Sequence, residues 1–130
     1  FSLVFISPDL SLAAELADRV AIVYAGRIVE LGSVYDTFKK PHHPYTIGLM
    51  KAVPTLATHR DNVSSIPGSP PDLINLPTGC KFHLRCPLAI EKCVKEEPQL
   101  VPTNGTEHFA ACWRWQEARQ ILMPTPIRTE

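Results

Sequence analysis

The opening third of the chain alternates apolar runs with short polar breaks, and this pattern predicts a mixture of strands and helices. Residues 1–6 are almost continuously apolar and predict a strand that is covered on both faces. Asp9 then precedes apolar residues at helical spacing and is expected to cap that helix. The strand-like runs 20–24 and 27–31 are separated only by an Ala-Gly pair, which predicts a tight hairpin with Gly26 at a positive φ angle.

Two further helices are indicated before residue 55. A short one starts near Ser33, with Asp36 placed as in a capping box and Pro41 as its stop. A longer one runs from Pro44 to Val53, because proline suits the first helical position and apolar residues recur on one face.

Residues 55–79 contain four prolines, which favour an extended path that does not close into regular structure. A domain boundary near residue 55 follows. This stretch is either a plain linker or a segment that packs along the preceding domain and fixes the position of what comes after it.

Composition narrows the classes of function. The 130 residues allow one modest domain or two small pieces, and 13 basic residues balance 13 acidic ones. Without a basic surplus, nothing indicates nucleic acid or an anionic membrane surface as a partner. Every apolar run is far shorter than a membrane span, and neither a signal peptide nor a transmembrane helix is predicted.

All four cysteines lie within one quarter of the chain, with gaps of five, six and eighteen residues between them: Cys80, Cys86, Cys93 and Cys112. Such confinement indicates a shared metal, a cluster or a disulfide pair. In a reducing cytoplasm, which the lack of an export signal favours, metal binding is expected rather than disulfides.

The residues around Cys86 suggest how the thiols are arranged. Pro87 suits the first position of a helix over residues 88–96, so Cys86 is expected to be its N-cap, with a lowered thiol pKa. Cys93 then lies close to two turns later, roughly 10 Å away along the axis. This is too far for a disulfide and long for one zinc ion, whereas a larger cluster held by four thiolates fits more easily.

The run IPGSPPDLINLPTGCKFHLRCPLAIEKC, followed by HFAACW, resembles the C-terminal extension of the ATP-binding subunits of oligopeptide and dipeptide ABC transporters. The resemblance implies a 4Fe-4S cluster of structural or regulatory role on the four cysteines, Cys80, Cys86, Cys93 and Cys112. A zinc-stapled or redox-sensing module for subunit interaction remains the alternative.

The runs LADRVAIVYAGRIVELG and HPYTIGLMKAVP resemble the end of an ABC ATPase domain of the same family. The implied fold class is α/β: the C-terminal fragment of an ABC-type P-loop ATPase domain, followed by a small irregular cysteine-rich module. The expected division is residues 1–54 for the ATPase end, 55–79 for the linker, 80–115 for the four-cysteine iron-sulfur module and 116–130 for a tail.

No catalytic residue is assigned. The sequence has no phosphate-binding GxxxxGK loop, no ABC signature and no Walker B carboxylates. Relatives carry a switch histidine in the pattern ISHD, but here Pro8 takes that position, and proline cannot donate a hydrogen bond or transfer a proton. Either the ATPase site of this subunit is degenerate, or the partner subunit of a heterodimer carries hydrolysis. The first residue is not methionine and the chain opens inside a predicted strand, so it is interpreted as a fragment, with ATP and Mg²⁺ expected only in the intact parent.

The resemblance also implies partners and location. A second nucleotide-binding subunit, identical or related, and transmembrane permease subunits are expected, with the protein peripheral on the cytoplasmic face of the membrane. The transported solute is not indicated.

The remaining candidates are assigned structural roles. His83 and His108 are interpreted as surface or hydrogen-bonding residues rather than as replacements for a thiolate, and His42 and His43 as part of a helix-capping turn. The Trp113 and Trp115 pair is assigned to core packing or to shielding the cluster, and residues 123–130 are expected to be loose. A thioredoxin-like function lacks support because no CxxC pair occurs, and a cysteine protease function lacks support because no cysteine is uniquely placed beside a base.

Overall fold

A computed structural model of the chain describes residues 1–53, 65–104 and 107–123. The helices are α1 (Leu10–Leu16), α2 (Val34–Lys39), α3 (Pro44–Ala52), α4 (Glu91–Lys95) and α5 (Trp115–Leu122), with a 3₁₀ turn at His83–Arg85. The strands are β1 (Arg19–Tyr24), β2 (Arg27–Ser33), β3 (Val101–Pro102) and β4 (Phe109–Ala110). They form one antiparallel sheet in the order β1-β2-β4-β3.

The predicted hairpin is confirmed. β1 and β2 pair from Arg19 opposite Ser33 to Tyr24 opposite Arg27. The two-residue turn places both Ala25, with φ of 50°, and Gly26, with φ of 77°, in the left-handed region. Two positive φ angles give the turn a twist that matches that of the strands, so Ala25 accepts a conformation that favours glycine.

The first three helices begin where the capping residues predict. The Asp9 carboxylate accepts hydrogen bonds from the amides of Ser11 and Leu12, at 3.0 and 3.2 Å. The Ser33 hydroxyl accepts from the amide of Asp36 at 3.0 Å and caps α2. Pro44 opens α3 as predicted.

The strand predicted at residues 1–6 is wrong for the described structure. Residues 1–6 have no regular structure, and Phe1 and Ile6 are fully exposed. A strand that is covered on both faces needs neighbours on each side to pair with its amides and carbonyls. None of the strands in the described ranges pairs with this stretch.

The core joins residues that are distant in sequence. Tyr24 from β1 and Phe82 from the cysteine-containing part pack edge to face, with ring centroids 5.2 Å apart. Both belong to one buried cluster. A second cluster consists of Leu88, Ile47 from α3 and Ala118 from α5. Helix α5 was not predicted, and it covers this side of α3. Residues 124–130 lie outside the described residues.

The predicted linker is described only from residue 65 onward. Ile66 packs against the core cluster, and the Arg85 guanidinium donates a hydrogen bond to the carbonyl of Pro67 at 2.8 Å. At this point the segment packs on the rest of the chain. The proposed boundary near residue 55 falls outside the described residues.

Glu30 on β2 is the centre of the buried polar contacts. Its carboxylate has no solvent exposure and accepts hydrogen bonds from the amides of His42 and His43, the latter at 2.8 Å. Nε2 of His108 donates to the same carboxylate at 2.5 Å. Glu30 therefore connects the start of α3 with the segment that leads into β4.

None of the helices in the described part of the chain combines the length and the apolarity that crossing a bilayer requires.

Candidate functional site

The candidate site lies in the cysteine segment, which we define as residues 79–104 and 107–114. Its first cysteine is positioned by Gly79, whose φ is +67°. The amide of Cys80 donates to the carbonyl of Cys93 at 2.7 Å, so the two backbones run very close together. A Cβ atom on Gly79 would lie 2.2 Å from that carbonyl oxygen. Glycine is therefore required both by the backbone angle and by the close approach.

A tight turn carries the chain from the first cysteine to the second. Nδ1 of His83 donates to the carbonyl of Cys80 at 2.8 Å, and the amide of Cys86 donates to the carbonyl of His83 at 3.3 Å. The prediction that His83 is a hydrogen-bonding residue is confirmed. Phe82, within this turn, is anchored in the core.

The predicted helix N-cap at Cys86 is wrong. Helix α4 begins only at Glu91 and has Ile90 as its N-cap, so Cys86 lies in a separate turn that the amide of Ala89 closes at 3.3 Å. Leu88 is buried in this turn. Residues 87–90 are not helical, so the two-turn spacing between Cys86 and Cys93 does not apply.

Cys93 lies on a helix and Cys112 lies just beyond a strand. Cys93 is buried on α4. Ala111 continues the pairing of β4 with β2, because its amide donates to the carbonyl of Val29 at 2.8 Å. Cys112 is the next residue. The amide of Arg114 donates to the Cys112 sulfur at 3.3 Å.

The four cysteines line one cavity, whose volume is about 320 Å³ when its opening to solvent is included. This space is narrow, since the part that a water molecule can enter measures only about 10 Å³. All four thiols are free rather than paired in disulfides. Each of the six pairs of thiols is close enough for mutual electrostatic repulsion of the ionised forms. The four cysteines thus border one cavity.

Without a bound positive charge beside them, the thiols of this cavity favour the protonated form over the thiolate. Burial raises the pKa of the Cys86 thiol to about 11 and that of Cys112 to about 12, and the other thiols add repulsion. The pKa of Cys80 is also raised, chiefly by burial. The prediction of a lowered pKa at Cys86 is therefore wrong, because desolvation outweighs any helix terminus.

Backbone amides partly offset this effect. The amides of Phe82, Leu88 and Arg114 each face the sulfur of the cysteine two residues earlier and lower its pKa. Amides directed at sulfur favour the thiolate form that ligates metals. The donor set of four thiols with amides around them is chemically suited to iron or zinc.

A single ion is not accommodated as the side chains stand. Within residues 1–53, 65–104 and 107–123, no three His, Cys, Asp or Glu side chains are grouped so as to hold one metal ion. One zinc ion would draw its sulfurs to about 3.8 Å from one another, given Zn–S bonds of about 2.3 Å.

Sequence reasoning missed two residues that border the cavity, His43 and Arg114. His43 caps α3, as predicted: its Nδ1 accepts from the amide of Tyr45 at 3.0 Å. It is 1% exposed, and Nε2 has no hydrogen-bond partner in the described part of the chain. Burial lowers the pKa of His43 to about 4, against weaker opposing effects of Glu30 and the Ala111 carbonyl. No sequence signal places this ring beside residues 37 or more positions away.

The two tryptophans differ in position. Trp113 borders the cavity, and its Nε1 donates to the carbonyl of Glu96 at 2.9 Å, while the Lys92 ammonium lies 3.8 Å from the ring centroid. Trp115 instead packs against His42, with ring centroids 5.4 Å apart. Trp113 thus lies at the edge of the cavity, whereas Trp115 packs against another side chain.

Comparisons with known proteins found a matching family model and similar proteins. A family model described as "Oligopeptide/dipeptide transporter, C-terminal region" matches residues 29–93. A dipeptide transport ATP-binding protein DppD of Caldanaerobacter subterraneus subsp. tengcongensis is 43% identical over 92% of this chain. An oligopeptide transport ATP-binding protein OppD of Bacillus subtilis is 43% identical over 99% of it. The chain spans 36% of the length of each of these two relatives.

Proposed function

Because the chain belongs to the family of the oligopeptide/dipeptide transporter C-terminal region, we propose that it is the C-terminal part of the ATP-binding subunit of a peptide importer. The printed names of its relatives support this proposal, since they are dipeptide and oligopeptide transport ATP-binding proteins. In the intact subunit, ATP and Mg²⁺ would be bound by motifs that this sequence does not contain. Permease subunits and a second ATP-binding subunit would be its partners, on the cytoplasmic face of the membrane.

We further propose that Cys80, Cys86, Cys93 and Cys112 hold a 4Fe-4S cluster. The observation that carries this proposal is the shared cavity, to which four separate turns and elements each deliver one thiol. The backbone amides that face three of the sulfurs support thiolate ligation. The cluster would take the central space that the thiol side chains now share.

The proposed role of the cluster is structural or regulatory. Four protein ligands leave no open position for a substrate. The cysteine segment has little regular structure to hold its shape: α4 has five residues, and β3 and β4 have two each. Binding one centre through four distant positions would restrict this segment and stabilise it.

Metal and sulfide analysis of protein purified without oxygen tests the cluster. About four iron atoms and four sulfides per chain, with broad visible absorption, are the expected result. Colourless protein with one zinc ion would overturn the cluster in favour of a zinc staple. The Cys93→Ser variant should lose the iron, whereas Leu84→Ser, which alters an exposed residue of the same segment that does not line the cavity, should keep it.

Limited proteolysis tests the structural role. Cys93→Ser should make residues 80–112 cleavable while the first fifty residues stay resistant, because only the former depend on the centre. A segment that remained as resistant as in the wild type, in protein shown to lack iron, would contradict the structural role.

A further inference from the structure

One polar group beside the cysteine cavity has no role in the fold described so far. Nε2 of His43 is buried, without a hydrogen-bond partner among the described residues, and the His43 side chain lines the cavity together with the four cysteines. A buried donor with no acceptor is costly, so such atoms in native proteins call for an explanation.

The proton on this imidazole can be located from its other nitrogen. Nδ1 accepts a hydrogen bond from the Tyr45 amide at 3.0 Å, so it carries no proton. A neutral imidazole with an unprotonated Nδ1 has its proton on Nε2, which is therefore a donor. The ring is also held in place, because the His43 amide donates to buried Glu30 at 2.8 Å and the ring packs beside Phe82.

We propose that His43 donates a hydrogen bond from Nε2 to a sulfur atom of the cluster or of its cysteine ligands. This inference rests on the proposed function, since it requires a cluster in the cavity. His43 is then a positioning and tuning residue rather than a ligand: four thiols already complete the ligand set. The Ala111 carbonyl lies near enough to raise the pKa of His43, but it makes no hydrogen bond with Nε2.

The consequence concerns the reduction potential. A reduced cluster carries one more negative charge on its iron and sulfur atoms than the oxidised cluster does. A hydrogen bond to sulfur stabilises that extra charge and raises the potential. The backbone amides beside three of the cysteines act in the same direction, and His43 would add a side-chain donor that can be removed by mutation.

Two substitutions separate the donor from the helix cap. His43→Asn keeps an oxygen that can accept from the Tyr45 amide, because asparagine is a good N-cap, but it is too short to replace Nε2. His43→Gln keeps an amide N–H near the position of Nε2 and loses the capping acceptor. In redox titration of the anaerobically purified protein, the equilibrium constant for reduction of the cluster should be about tenfold smaller in His43→Asn than in the wild type. For one electron this is a reduction potential about 59 mV lower. His43→Gln should stay closer to the wild type.

A second measurement detects the hydrogen-bonded histidine directly. In wild-type protein labelled with ¹⁵N-histidine and reduced by one electron, pulsed EPR should detect coupling between the cluster spin and one histidine nitrogen. This coupling should disappear in His43→Asn.

The outcomes are distinct. An assembled cluster without histidine coupling, or with the same potential in His43→Asn as in the wild type, overturns the role of His43 and leaves the cluster in place. Wild-type protein without iron and sulfide overturns the cluster and the role of His43 with it.

Discussion

The hairpin region, residues 19–53, and the cysteine segment bury comparable kinds of side chains but are held together differently. In the hairpin region, β1 and β2 pair along their whole length and capped helices follow. In the cysteine segment, single hydrogen bonds between turns set the path, such as the one from the Cys80 amide to the Cys93 carbonyl at 2.7 Å. Repeated ladders tolerate the loss of one contact, whereas a path defined by single contacts does not.

The largest expected effect tests this contrast with two glycines at similar backbone angles. Gly79→Ala should destabilise the protein by more than about 3 kcal/mol, since a new Cβ would meet the Cys93 carbonyl at 2.2 Å in addition to the strain of a positive φ. Gly26 in the hairpin turn has a φ of +77°, but a Cβ added there would meet nothing within 4 Å. Gly26→Ala should therefore lower the free energy of unfolding by only about 1–2 kcal/mol. Urea denaturation of both variants measures the difference. Equal losses would show that the close approach in the cysteine segment contributes nothing.

The next effect concerns Glu30, where the two regions meet. Glu30→Gln replaces one carboxylate oxygen by an amide NH₂ that faces other donors, the His42 and His43 amides and His108 Nε2. We expect a loss of about 2–4 kcal/mol in the free energy of unfolding, because buried donors lose their acceptor.

Glu97→Gln is the matched control for Glu30→Gln. Glu97 is partly exposed and pairs with Arg27 at 3.0 Å, so its replacement should cost no more than about 1 kcal/mol. If Glu30→Gln were as stable as Glu97→Gln in the same denaturation experiment, the hydrogen bonds of Glu30 would not be what holds the two regions together.

A third prediction follows from the low pKa of His43. Its pKa is about 4 in the folded protein, against an ordinary value of 6.5, so between these values the unfolded chain binds a proton that the folded chain does not. Stability is therefore lost as the pH falls from 6.5 towards 4. With the four thiols free, lowering the pH from 7.5 to 5 should cost the wild type about 2 kcal/mol more than it costs His43→Asn. Equal pH dependence in the two proteins, measured by urea denaturation, would contradict a buried neutral His43.

The smallest effect is expected on the surface of the cysteine segment. Lys95 and Glu91 form an ion pair of 2.6 Å on α4, but both side chains are largely exposed. Lys95→Ala should change the free energy of unfolding by no more than about 0.5 kcal/mol, because solvent screens such pairs. A loss above about 1 kcal/mol, read from the same denaturation curves, would mean that α4 depends on its surface contacts rather than on its buried ones.

The same contrast explains what the sequence could predict. The hairpin, the caps at Asp9 and Ser33 and the start of α3 follow from local rules, and the structure confirms them. Local rules failed at Cys86: Leu88 lies in a turn and packs against Ile47 and Ala118, a long-range contact that the local helix signal of Pro87 does not contain. They also failed at residues 1–6, whose apolar character indicates burial but does not supply a partner.

The cavity was predictable only in part. The clustering of four cysteines in sequence indicated that they meet, and the structure places them around one cavity. The contribution of His43 was not predictable, since it depends on how α3 packs against a segment that begins 36 residues later. The buried carboxylate of Glu30 was missed for the same reason: its partners His42 and His108 come from other parts of the chain.

The pairing of β4 with β2 has a practical consequence for engineering. Phe109 and Ala110 are matched with Leu31 and Glu30, and Cys112 follows two residues later. A transplant of residues 79–114 into an unrelated scaffold would leave Cys112 without the edge that aligns it and His108 without its carboxylate. The smallest portable unit of this chain therefore includes the hairpin, and the cysteines cannot be moved as a self-sufficient cassette.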